Sequence, residues 1–452
     1  MNTSLAHKTR NESNTFLAYR RDPLIDSLVK KEASMAVVGL GYVGLPLAIH
    51  MASKFKVIGY DINEDKVNKL LQKIDPCEEL STEDFEGKDI SFSYKEKVLQ
   101  AARFYVVAVP TPIDGHKKPN LQPLKKATAL VARYLKKGDC VVFESTVYPG
   151  CTEEVCVPIL ERISRLKLND DFAVGYSPER INPGDKEHTF TTIKKTVSAS
   201  NESALELVAS VYGEVVEAGI HRAPSLKVAE ASKIVENTQR DVNIGLMNQL
   251  AKIFSALDIN TREVLEAAGT KWNFHNYYPG LVGGHCIGVD PYYLIHKAKS
   301  KNVSPRMLEQ VRAVNESMVD HIVSKIASRI WLRRMCDETF SVLVKGITFK
   351  ENVNDIRNSK AAELCLTLKK KGFDVVVEDY MADEQEVKQV YDLDLVTGTT
   401  RKFDVIVLAV DHDDYQHLAH YDHLKNGYAN TLIFDVKGDK KGRIPSEVYM
   451  SL

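Results

Sequence analysis

The sequence predicts an α/β protein in which two doubly wound sheets are joined by a central helical domain with one long helix. Three observations lead to this prediction. Short β-branched runs alternate with helical patterns over the first half of the chain, and the alternation returns near the C-terminus. A proline-free helical pattern lies between the two series. A chain of 452 residues is also too long for one hydrophobic core, so two or three domains are expected.

The composition argues against several classes of function. Charged residues make up 27% of the chain and the formal net charge is −1, so neither nucleic acid nor an anionic membrane is an expected partner. The seven cysteines include no C-x-x-C pair, which argues against a disulfide framework or a zinc ribbon, and no metal site is predicted. No segment has the apolar length of a membrane span. A reducing cytoplasm fits these features best.

Residues 1–33 are predicted to form an accessory arm, because they are polar and mixed in charge. Their short apolar patch consists of Leu24, Ile25, Leu28 and Val29. This patch could form one or two amphipathic turns that dock on the body of the protein. The sequence assigns no chemistry to the arm.

A glycine-rich turn opens the first domain, which is predicted over residues 34–222. The motif Gly39-x-Gly41-x-x-Gly44 follows a strand and begins a helix, and the next strand ends in Asp61, about 20 residues after the middle glycine. Such glycines allow a tight turn and let a pyrophosphate reach the helix N-terminus. Asp61 would bind both ribose hydroxyls and repel a 2′-phosphate. The motif therefore predicts a Rossmann-like domain that binds NAD rather than NADP.

Further turns of this domain are expected to line the ligand site, because ligands of open α/β sheets bind beyond the carboxyl ends of strands. One turn contains Pro110 and Thr111, and another runs from Thr146 to Gly150. A third strand leads into a polar loop, Ser177 to Gly184, that carries Glu179. Position alone leaves Glu179 open between a site carboxylate and an ordinary ion-pair partner.

The central domain is predicted over residues 223–335 and contains a long helix from Ser225 to Leu257. Glu230, Lys233 and Asn237 recur at i, i+3 and i+7, so they share one helix face. A lysine in such a position is ordinarily a solvated charge. On the residues alone, that interpretation is the better one.

A glycine-rich loop after the long helix places a thiol and a carboxylate four residues apart, in Gly283-Gly-His-Cys-Ile-Gly-Val-Asp290. Backbone without Cβ atoms lets a substrate approach Cys286 closely, whereas a structural cysteine normally sits in an apolar run. Cys286 is therefore a candidate nucleophile. A second helix is predicted from about Arg306 to Arg334.

The C-terminal domain, predicted over residues 336–452, repeats the strand pattern without a G-x-G-x-x-G motif of its own. Lys350 and Arg357 flank a loop after its first strand. A lysine point charge and a planar guanidinium suit the binding of a diphosphate. As ordinary surface cations, the two side chains would need no such explanation.

In this order, the motifs resemble those of the UDP-glucose/GDP-mannose 6-dehydrogenase family over about residues 35 to 440. The shared motifs are Gly39–Pro46, Val109–Pro112, Ser145–Gly150, Ser177–Arg180, Lys233 with Asn237, Gly283–Cys286 and Phe349–Ser359. The resemblance implies a four-electron oxidation of a nucleotide sugar at C6, from primary alcohol to carboxylate, with two NAD.

The resemblance also implies catalytic roles. Cys286 forms a thiohemiacetal and then a thioester, while Lys233 and Asp290 stabilise the oxyanion and assist proton transfer. Asn237 holds the sugar and a water. Glu179 aids hydrolysis of the thioester.

Thr146 is expected to position a water near the nicotinamide. The expected cofactor ligands are Gly39, Gly41, Tyr42, Val43, Gly44, Asp61, Pro110, Thr111 and Thr146. The expected substrate ligands are Glu179, Arg180, Lys233, Asn237, Tyr277, Gly283, His285, Lys350 and Arg357.

The substrate predicted from the resemblance is UDP-N-acetylglucosamine, for capsule or O-antigen synthesis. His285 and Val289 stand where UDP-glucose enzymes usually carry a small residue and a lysine, and Lys271–Phe274 and Asn276–Gly280 also resemble the UDP-N-acetylhexosamine branch. UDP-GalNAc and UDP-ManNAc are alternatives. A two-electron dehydrogenase of the hydroxyacid type and a non-catalytic nucleotide-sugar sensor are alternatives of other classes, but neither accounts for Cys286.

A homodimer through the long helix around Lys233 is a further implication of the resemblance. Arg357 would then reach the nucleotide sugar of the neighbouring subunit or lie at the shared edge. The helix cannot bury all its apolar positions in a small bundle, so a second copy is its natural cover.

Overall fold

The protein is described by a computed structural model. The described residues are 22–77, 79–180, 187–331, 339–396, 398–413, 415 and 427–452. Parts of three predicted features lie outside them, namely residues 1–21 of the arm, 181–184 of the polar loop and 332–334 of the second helix.

The first sheet has eight strands among the described residues, in the order β3-β2-β1-β4-β5-β6-β7-β8. They are β1 Ser34–Val38, β2 Lys56–Tyr60, β3 Ile90–Ser93, β4 Ala102–Val107, β5 Asp139–Phe143, β6 Phe172–Tyr176, β7 Lys195–Ala199 and β8 Ile220–Arg222. β6 and β7 pair antiparallel, and the other neighbours are parallel. The order reverses between β1 and β4, which opens a ligand crevice at their carboxyl ends.

Helices cover both faces of this sheet, and each face has its own hydrophobic core. They are α1 Pro23–Val29, α2 Gly44–Met51, α3 Glu64–Leu71, α4 Gln122–Ala132, α5 Val157–Ser164 and α6 Glu202–Gly213. The short 3-10 helices are Thr82–Phe85 and Glu96–Ala101, and a π-helical turn, Thr152–Cys156, leads into α5. Leu24, Ile25 and Leu28 of α1 are buried against α6, so the predicted docking of this patch is confirmed.

The central region consists of α7 Leu226–Ala256, α8 Thr261–Gly269, α9 Asp290–Ser300, α10 Arg306–Glu316 and α11 Met318–Trp331. α7 confirms the predicted long helix to within one residue at each end. Ser225 is the N-cap residue of α7, because its side chain accepts a hydrogen bond from Val228 N. None of the described helices is long and apolar enough to cross a membrane.

The prediction of one helix from Arg306 to Arg334 was wrong, because the helix is interrupted at Ser317. The Ser317 hydroxyl donates to the carbonyl of Val314 at 2.6 Å. That carbonyl would otherwise accept from the N–H of Met318 in an unbroken α-helix. A local side-chain bond therefore separates α10, which packs on α7, from α11, which packs on the second sheet.

The second sheet has six strands among the described residues, in the order β11-β10-β9-β12-β13-β14, and all neighbours are parallel. They are β9 Ser341–Lys345, β10 Asp374–Glu378, β11 Leu395–Val396, β12 Phe403–Leu408, β13 Gly427–Asp435 and β14 Tyr449–Ser451, with helices α12 Lys360–Lys370 and α13 Glu384–Tyr391. The order again reverses, here between β9 and β12. Two Rossmann-like domains around a central helical region are thus confirmed.

Candidate active site

The glycine turn after β1 is closely packed at Gly39 and Gly44 and open at Gly41. Gly39 has φ +96°, and a Cβ there would lie 2.7 Å from Ala108 O. A Cβ on Gly44 would lie 1.8 Å from Gly39 O, whereas a Cβ on Gly41 would meet nothing within 4 Å. The backbone at Gly41 is therefore accessible to a ligand, while Gly39 and Gly44 let the turn pack closely.

Asp61 faces this turn from the end of β2. Its Oδ2 accepts from Leu40 N at 2.9 Å, and its Oδ1 accepts from Asn63 N at 2.9 Å. Val43, the N-cap residue of α2, makes no side-chain capping hydrogen bond, so the first N–H groups of the helix are available to bind an anion. An open Gly41, an uncapped helix N-terminus and a carboxylate at the neighbouring strand end fit a dinucleotide with free ribose hydroxyls.

The turns after β4 and β5 come together, as the sequence predicts. Thr111 Oγ1 donates to Thr146 O at 2.7 Å, and Pro110 beside it is exposed. Tyr293 of α9 donates its hydroxyl to Thr111 O at 2.6 Å. The sequence reasoning missed Tyr293, although it follows directly in the Asp-Pro-Tyr-Tyr run of the cysteine motif.

The face of α7 that carries Lys233 and Asn237 is buried against two loops. Lys233 Nζ donates to the main-chain carbonyl of Glu179 at 2.8 Å. Asn237 Nδ2 donates to Asp290 Oδ2 at 2.6 Å. The interpretation of Lys233 as a solvated charge is therefore wrong, because tertiary packing covers this face.

The cysteine loop packs on the C-terminal domain through its two glycines. A Cβ on Gly283 would lie 2.8 Å from Asn358 O, and one on Gly284 would lie 2.6 Å from the ring of Phe349. Cys286 is half-buried, and its carbonyl accepts from Asp290 N at 2.8 Å as the chain enters α9. The glycines thus fit the loop between α7 and the second sheet.

Burial and neighbouring charges act in opposite directions on the thiol. Burial raises the pKa of Cys286, while Lys233, Arg180 and Arg357 lower it and Asp290 raises it. Burial also raises the pKa of Asp290, against the lowering effect of Lys233 and Arg180. The thiol of Cys286 and the carboxyl group of Asp290 therefore both lie within the field of the Lys233 charge.

The carboxylate of Glu179 lies in a buried ion-pair network. Its Oε1 accepts from Arg180 N at 2.5 Å, and its Oε2 pairs with Lys195. Lys195 Nζ also bonds Glu144 Oε2 at 3.0 Å, and Glu144 accepts from the hydroxyl of Tyr212. The guanidinium of Arg180 does not take part, because it pairs with Glu236 of α7.

Lys195 was missed in the sequence, where Lys194-Lys195 reads as part of an exposed polar segment. It is instead fully buried on β7, beside two carboxylates. The partner of Glu179 was therefore not identifiable from spacing.

On the C-terminal side, His285 lies between Phe349 and Tyr42, with ring centroids 5.7 and 6.3 Å away. Burial, followed by the charge of Arg357, lowers the pKa of His285 to about 4, so the ring is neutral at pH 7. Its 3.7 Å approach to Asp355 is thus a contact and not an ion pair.

Arg357 lies in the cleft of its own chain. Its Nε donates to Asp355 Oδ1 at 3.0 Å, and its guanidinium carbon is 4.7 Å from the ring centroid of Tyr42 in the NAD turn. These contacts within one chain favour a position in cis, whereas the expectation that Arg357 reaches a neighbouring subunit or lies at the shared edge stays a prediction.

A cavity of about 130 Å³ opens at the carboxyl ends of β12 and β13. It is lined by Pro279, Gly280, Glu351, Leu408, Ala409, Asp411, Asp435, Val436, Lys437 and Lys440. Gly280 is held by Asn248 of α7, which exchanges two hydrogen bonds with its backbone, at 2.8 and 3.0 Å. Its charged lining is mixed, because Lys437 pairs with Glu351 and Lys440 with Asp411. Its position at the carboxyl ends of parallel strands suits one end of a nucleotide.

Tyr277 and Lys350 are adjacent to this cavity in sequence but do not line it. Both side chains are partly exposed, Tyr277 on the loop that leads to Gly280 and Lys350 next to Glu351. Among the described residues, no group of three or more His, Cys, Asp or Glu side chains could hold a metal ion.

The fold and site define a dehydrogenase with one dinucleotide domain and one nucleotide domain on either side of a cysteine loop. The UDP-glucose/GDP-mannose dehydrogenase family matches in three parts: the NAD binding domain over residues 33–216, the central domain over residues 227–317 and the UDP binding domain over residues 343–439. The chain belongs to this family, and its cofactor is NAD. The exact boundaries between the domains stay a prediction.

Similar proteins cover nearly the whole chain. Protein CapL of Staphylococcus aureus is 49% identical over 90% of this chain and 96% of its own length. The UDP-N-acetyl-D-glucosamine 6-dehydrogenase of Pseudomonas aeruginosa is 47% identical, over 90% of this chain and 97% of its own. The structure of a UDP-D-ManNAc dehydrogenase from Pyrococcus horikoshii superposes with a TM-score of 0.81 at 27% identity, over 92% of this chain and 98% of that one.

Proposed function

We propose that this protein is an NAD-dependent UDP-N-acetylglucosamine 6-dehydrogenase, which oxidises C6 of the sugar from primary alcohol to carboxylate. The observation that carries the proposal is the proximity of Cys286, Lys233 and Asp290 between the two sheets. A two-electron dehydrogenase would have no use for the thiol. NAD, when bound, accepts one hydride in each of the two oxidations.

Cys286 supplies the covalent step. Its sulfur adds to C6 of the aldehyde and the thiol proton passes to the aldehyde oxygen, which gives a thiohemiacetal. Loss of a hydride and of the hydroxyl proton leaves a thioester. Water adds to the acyl carbon and the C–S bond breaks, which releases the carboxylate and restores the thiol. Overall, the alcohol and one water yield a carboxylate, two hydrides and three protons.

Lys233 and Asp290 support this step electrostatically. Lys233 is anchored on the carbonyl of Glu179, and its charge lowers the pKa of both Cys286 and Asp290. A fixed cation at this point stabilises a thiolate and an oxyanion. Burial raises the pKa of Asp290, and Asn237 donates a hydrogen bond to its carboxylate, so we assign Asp290 to proton transfer and Asn237 to holding it.

Glu179 is the residue that we assign to hydrolysis of the thioester. A carboxylate can accept a proton from the attacking water, and the ion pair with Lys195 fixes the position of this one. Its main-chain carbonyl at the same time positions Lys233. Glu179 would thus supply the base for hydrolysis through its carboxylate and position Lys233 for the oxidation through its main-chain carbonyl.

We assign UDP-N-acetylglucosamine as the sugar because the relative that carries this name in Pseudomonas aeruginosa is 47% identical, against 27% for the UDP-D-ManNAc dehydrogenase structure. The neutral His285 beside Cys286 is a group that the resemblance associates with N-acetylhexosamines. The cavity beside Gly280, at the carboxyl ends of β12 and β13, is the place that we assign to one end of the uridine diphosphate group.

The test is separate incubation with UDP-GlcNAc, UDP-GalNAc, UDP-ManNAc and UDP-glucose, with NADH and product mass measured together. We expect UDP-GlcNAc to be preferred and two NADH to form for each uronate. One NADH per product would identify a two-electron enzyme. Preference for another sugar would move the assignment to that epimer.

We also propose a homodimer through α7. Exposed apolar side chains at spacings of 7, 11, 7 and 4 residues form one stripe along this helix, since each spacing is close to a whole number of turns. They are Val228, Val235, Leu246, Ile253 and Leu257, between 43% and 61% exposed. A second copy would cover this stripe. Sedimentation as an active monomer would contradict the dimer.

The setting that we propose is the cytoplasm, because a nucleophilic thiol must stay reduced. The uronate product would serve as a sugar donor for a surface polysaccharide such as a capsule or O-antigen. Comparison of the polysaccharide composition of cells with and without this protein tests this use of the product.

A further inference from the structure

Glu230 lies on the same face of α7, one turn before Lys233, and its exposed fraction is 0%. Its carboxylate accepts from Gly150 N at 2.5 Å and from Thr152 N at 2.9 Å. Nothing in the sequence pattern distinguishes it from a solvated charge. The structure, however, makes it one of three consecutive contacts of α7, with Glu230, Lys233 and Asn237 each holding a different loop.

The loop that Glu230 holds is the turn that contains Thr146. Gly150 ends this turn, and Thr152 begins the π-helical turn that continues as α5. The first N–H groups of a helix lack partners within it, and Cys151 at this N-terminus supplies no side-chain cap. Glu230 thus acts as a cap contributed by another element, and it ties the Thr146 turn to the helix that carries Lys233.

A carboxylate is a costly group for a purely structural cap. Both of its hydrogen bonds to Gly150 and Thr152 come from neutral backbone groups, and burial raises the pKa of Glu230 to about 7. The described residues place no cation in hydrogen-bond contact with this carboxylate, so its ionised form is desolvated without compensation, a cost that a neutral side chain would avoid. Its presence is explained if the exact placement of the turn matters for activity.

We propose that Glu230 is a positioning residue for the oxidation, which fixes the Thr146 turn relative to Lys233 on the neighbouring turn of α7. The proposal rests on the proposed function and on the expectation, implied by the family resemblance, that Thr146 lies near the nicotinamide. Thr146 extends the effect, because its carbonyl accepts from Thr111 Oγ1 in the turn after β4. One side chain thereby holds both strand-end turns in register with α7.

The test compares Glu230→Gln with Glu153→Gln. Glu153 is a matched control, because it lies in the first turn of the same helix but its side chain is 44% exposed and pairs with Lys227 at 3.3 Å. Both variants replace a carboxyl group at the same helix N-terminus with an amide. Glu230→Gln also places an amide group against two N–H donors that need an acceptor.

For Glu230→Gln we expect kcat to fall on the order of 10- to 100-fold, because misplacement of a site group by an ångström can cost this much. NAD affinity, measured by calorimetry without substrate, should fall severalfold while UDP affinity stays at the wild-type value. The deuterium isotope effect on kcat with C6-deuterated UDP-GlcNAc should rise. Glu153→Gln should match the wild type in each measurement.

If Glu230→Gln lowered the melting temperature but left kcat, the isotope effect and NAD affinity unchanged, the proposal would be overturned. Glu230 would then be only a structural cap. Glu230→Asp keeps the charge but shortens the reach, so full activity in that variant would also overturn it, even if Glu230→Gln does not fold. Failure of the proposed function can be distinguished from failure of this proposal. In the first case the wild type would oxidise no UDP-sugar, but the NAD affinities of the wild type and the variants could still be compared by calorimetry.

Discussion

After the first strand of each sheet the chain makes the same tight turn. Gly39 follows β1 with φ +96°, and Gly346 follows β9 with φ +87°. Gly39 N donates to Tyr60 O at 2.8 Å, and Gly346 N donates to Glu378 O at 2.8 Å. In both places a Cβ would collide with the backbone beyond the neighbouring strand, which explains why glycine occupies each position.

The two turns are also followed by equivalent aspartates at the end of the second strand. Asp61 Oδ2 accepts from Leu40 N at 2.9 Å, and Asp379 Oδ2 accepts from Ile347 N at 2.5 Å. Asp379, however, is also 3.2 Å from His412 Nε2, and both side chains are buried. The carboxylate that we assign to a ribose in the first domain therefore has a buried structural counterpart in the second.

The two domains diverge in the segment after the glycine. In the first, α2 begins at Gly44, so a helix N-terminus lies directly at the turn. In the second, α12 begins only at Lys360, and the intervening loop carries Lys350 and Arg357. The comparison teaches that the same turn binds a dinucleotide through backbone N–H groups in one case and offers cationic side chains in the other.

The largest effect is expected at the loop between the two sheets. Cys286→Ala should abolish uronate formation, by at least about 10³-fold, because no other group can carry the acyl intermediate. NAD binding, followed by calorimetry, should be unchanged, since the glycine turn does not depend on the thiol. Near-normal turnover, or lost NAD binding, would contradict the covalent assignment.

Glu179→Gln should slow thioester hydrolysis on the order of 10²- to 10³-fold, because it removes the assigned base. An acyl adduct on Cys286 should then accumulate and be visible by mass spectrometry of the quenched enzyme. Glu206→Gln, which breaks the exposed pair with Arg222, is the control in the same domain. Slow turnover without an adduct would assign Glu179 to an earlier step.

The two equivalent aspartates give the sharpest test of the comparison. Asp61→Ala should weaken NAD binding about 10- to 100-fold and relax discrimination against NADP, because a charged acceptor is lost at the ribose. Asp379→Ala should leave NAD binding unchanged but lower the free energy of unfolding by about 2–4 kcal/mol, since buried N–H groups lose their acceptor. If the two variants weakened NAD binding equally, the two domains would not have diverged as described.

Arg357→Ala should weaken UDP binding about tenfold through loss of a guanidinium contact, with little change in NAD affinity. Because Arg357 lies in the cleft of its own chain, mixing this variant with Cys286→Ala chains should not raise activity above that of Arg357→Ala alone. Recovery after demonstrated subunit exchange would instead mean that the site is shared between chains. Lys388→Ala, an exposed cation of α13, is the control.

Much of the fold and part of the site could be predicted from the sequence by itself. The glycine turn, Asp61, the long helix and the Cys286 loop are recognisable because each depends on residues close together in the chain. Strand runs and helix periodicity likewise report local preferences. The family resemblance then implied catalytic roles for Lys233, which the local pattern left as an ordinary charge, and for Glu179, which position alone left open.

Only the tertiary structure decided which charges are buried and what they contact. Glu230 meets Gly150 and Lys195 meets Glu144 across separations of 80 and 51 residues, and no local pattern encodes such pairs. Arg357 likewise lies against Tyr42 because two separate domains come together there. The physical reason is that desolvation and hydrogen bonding of a charge depend on all the elements packed around it, whereas propensity depends on its neighbours in sequence.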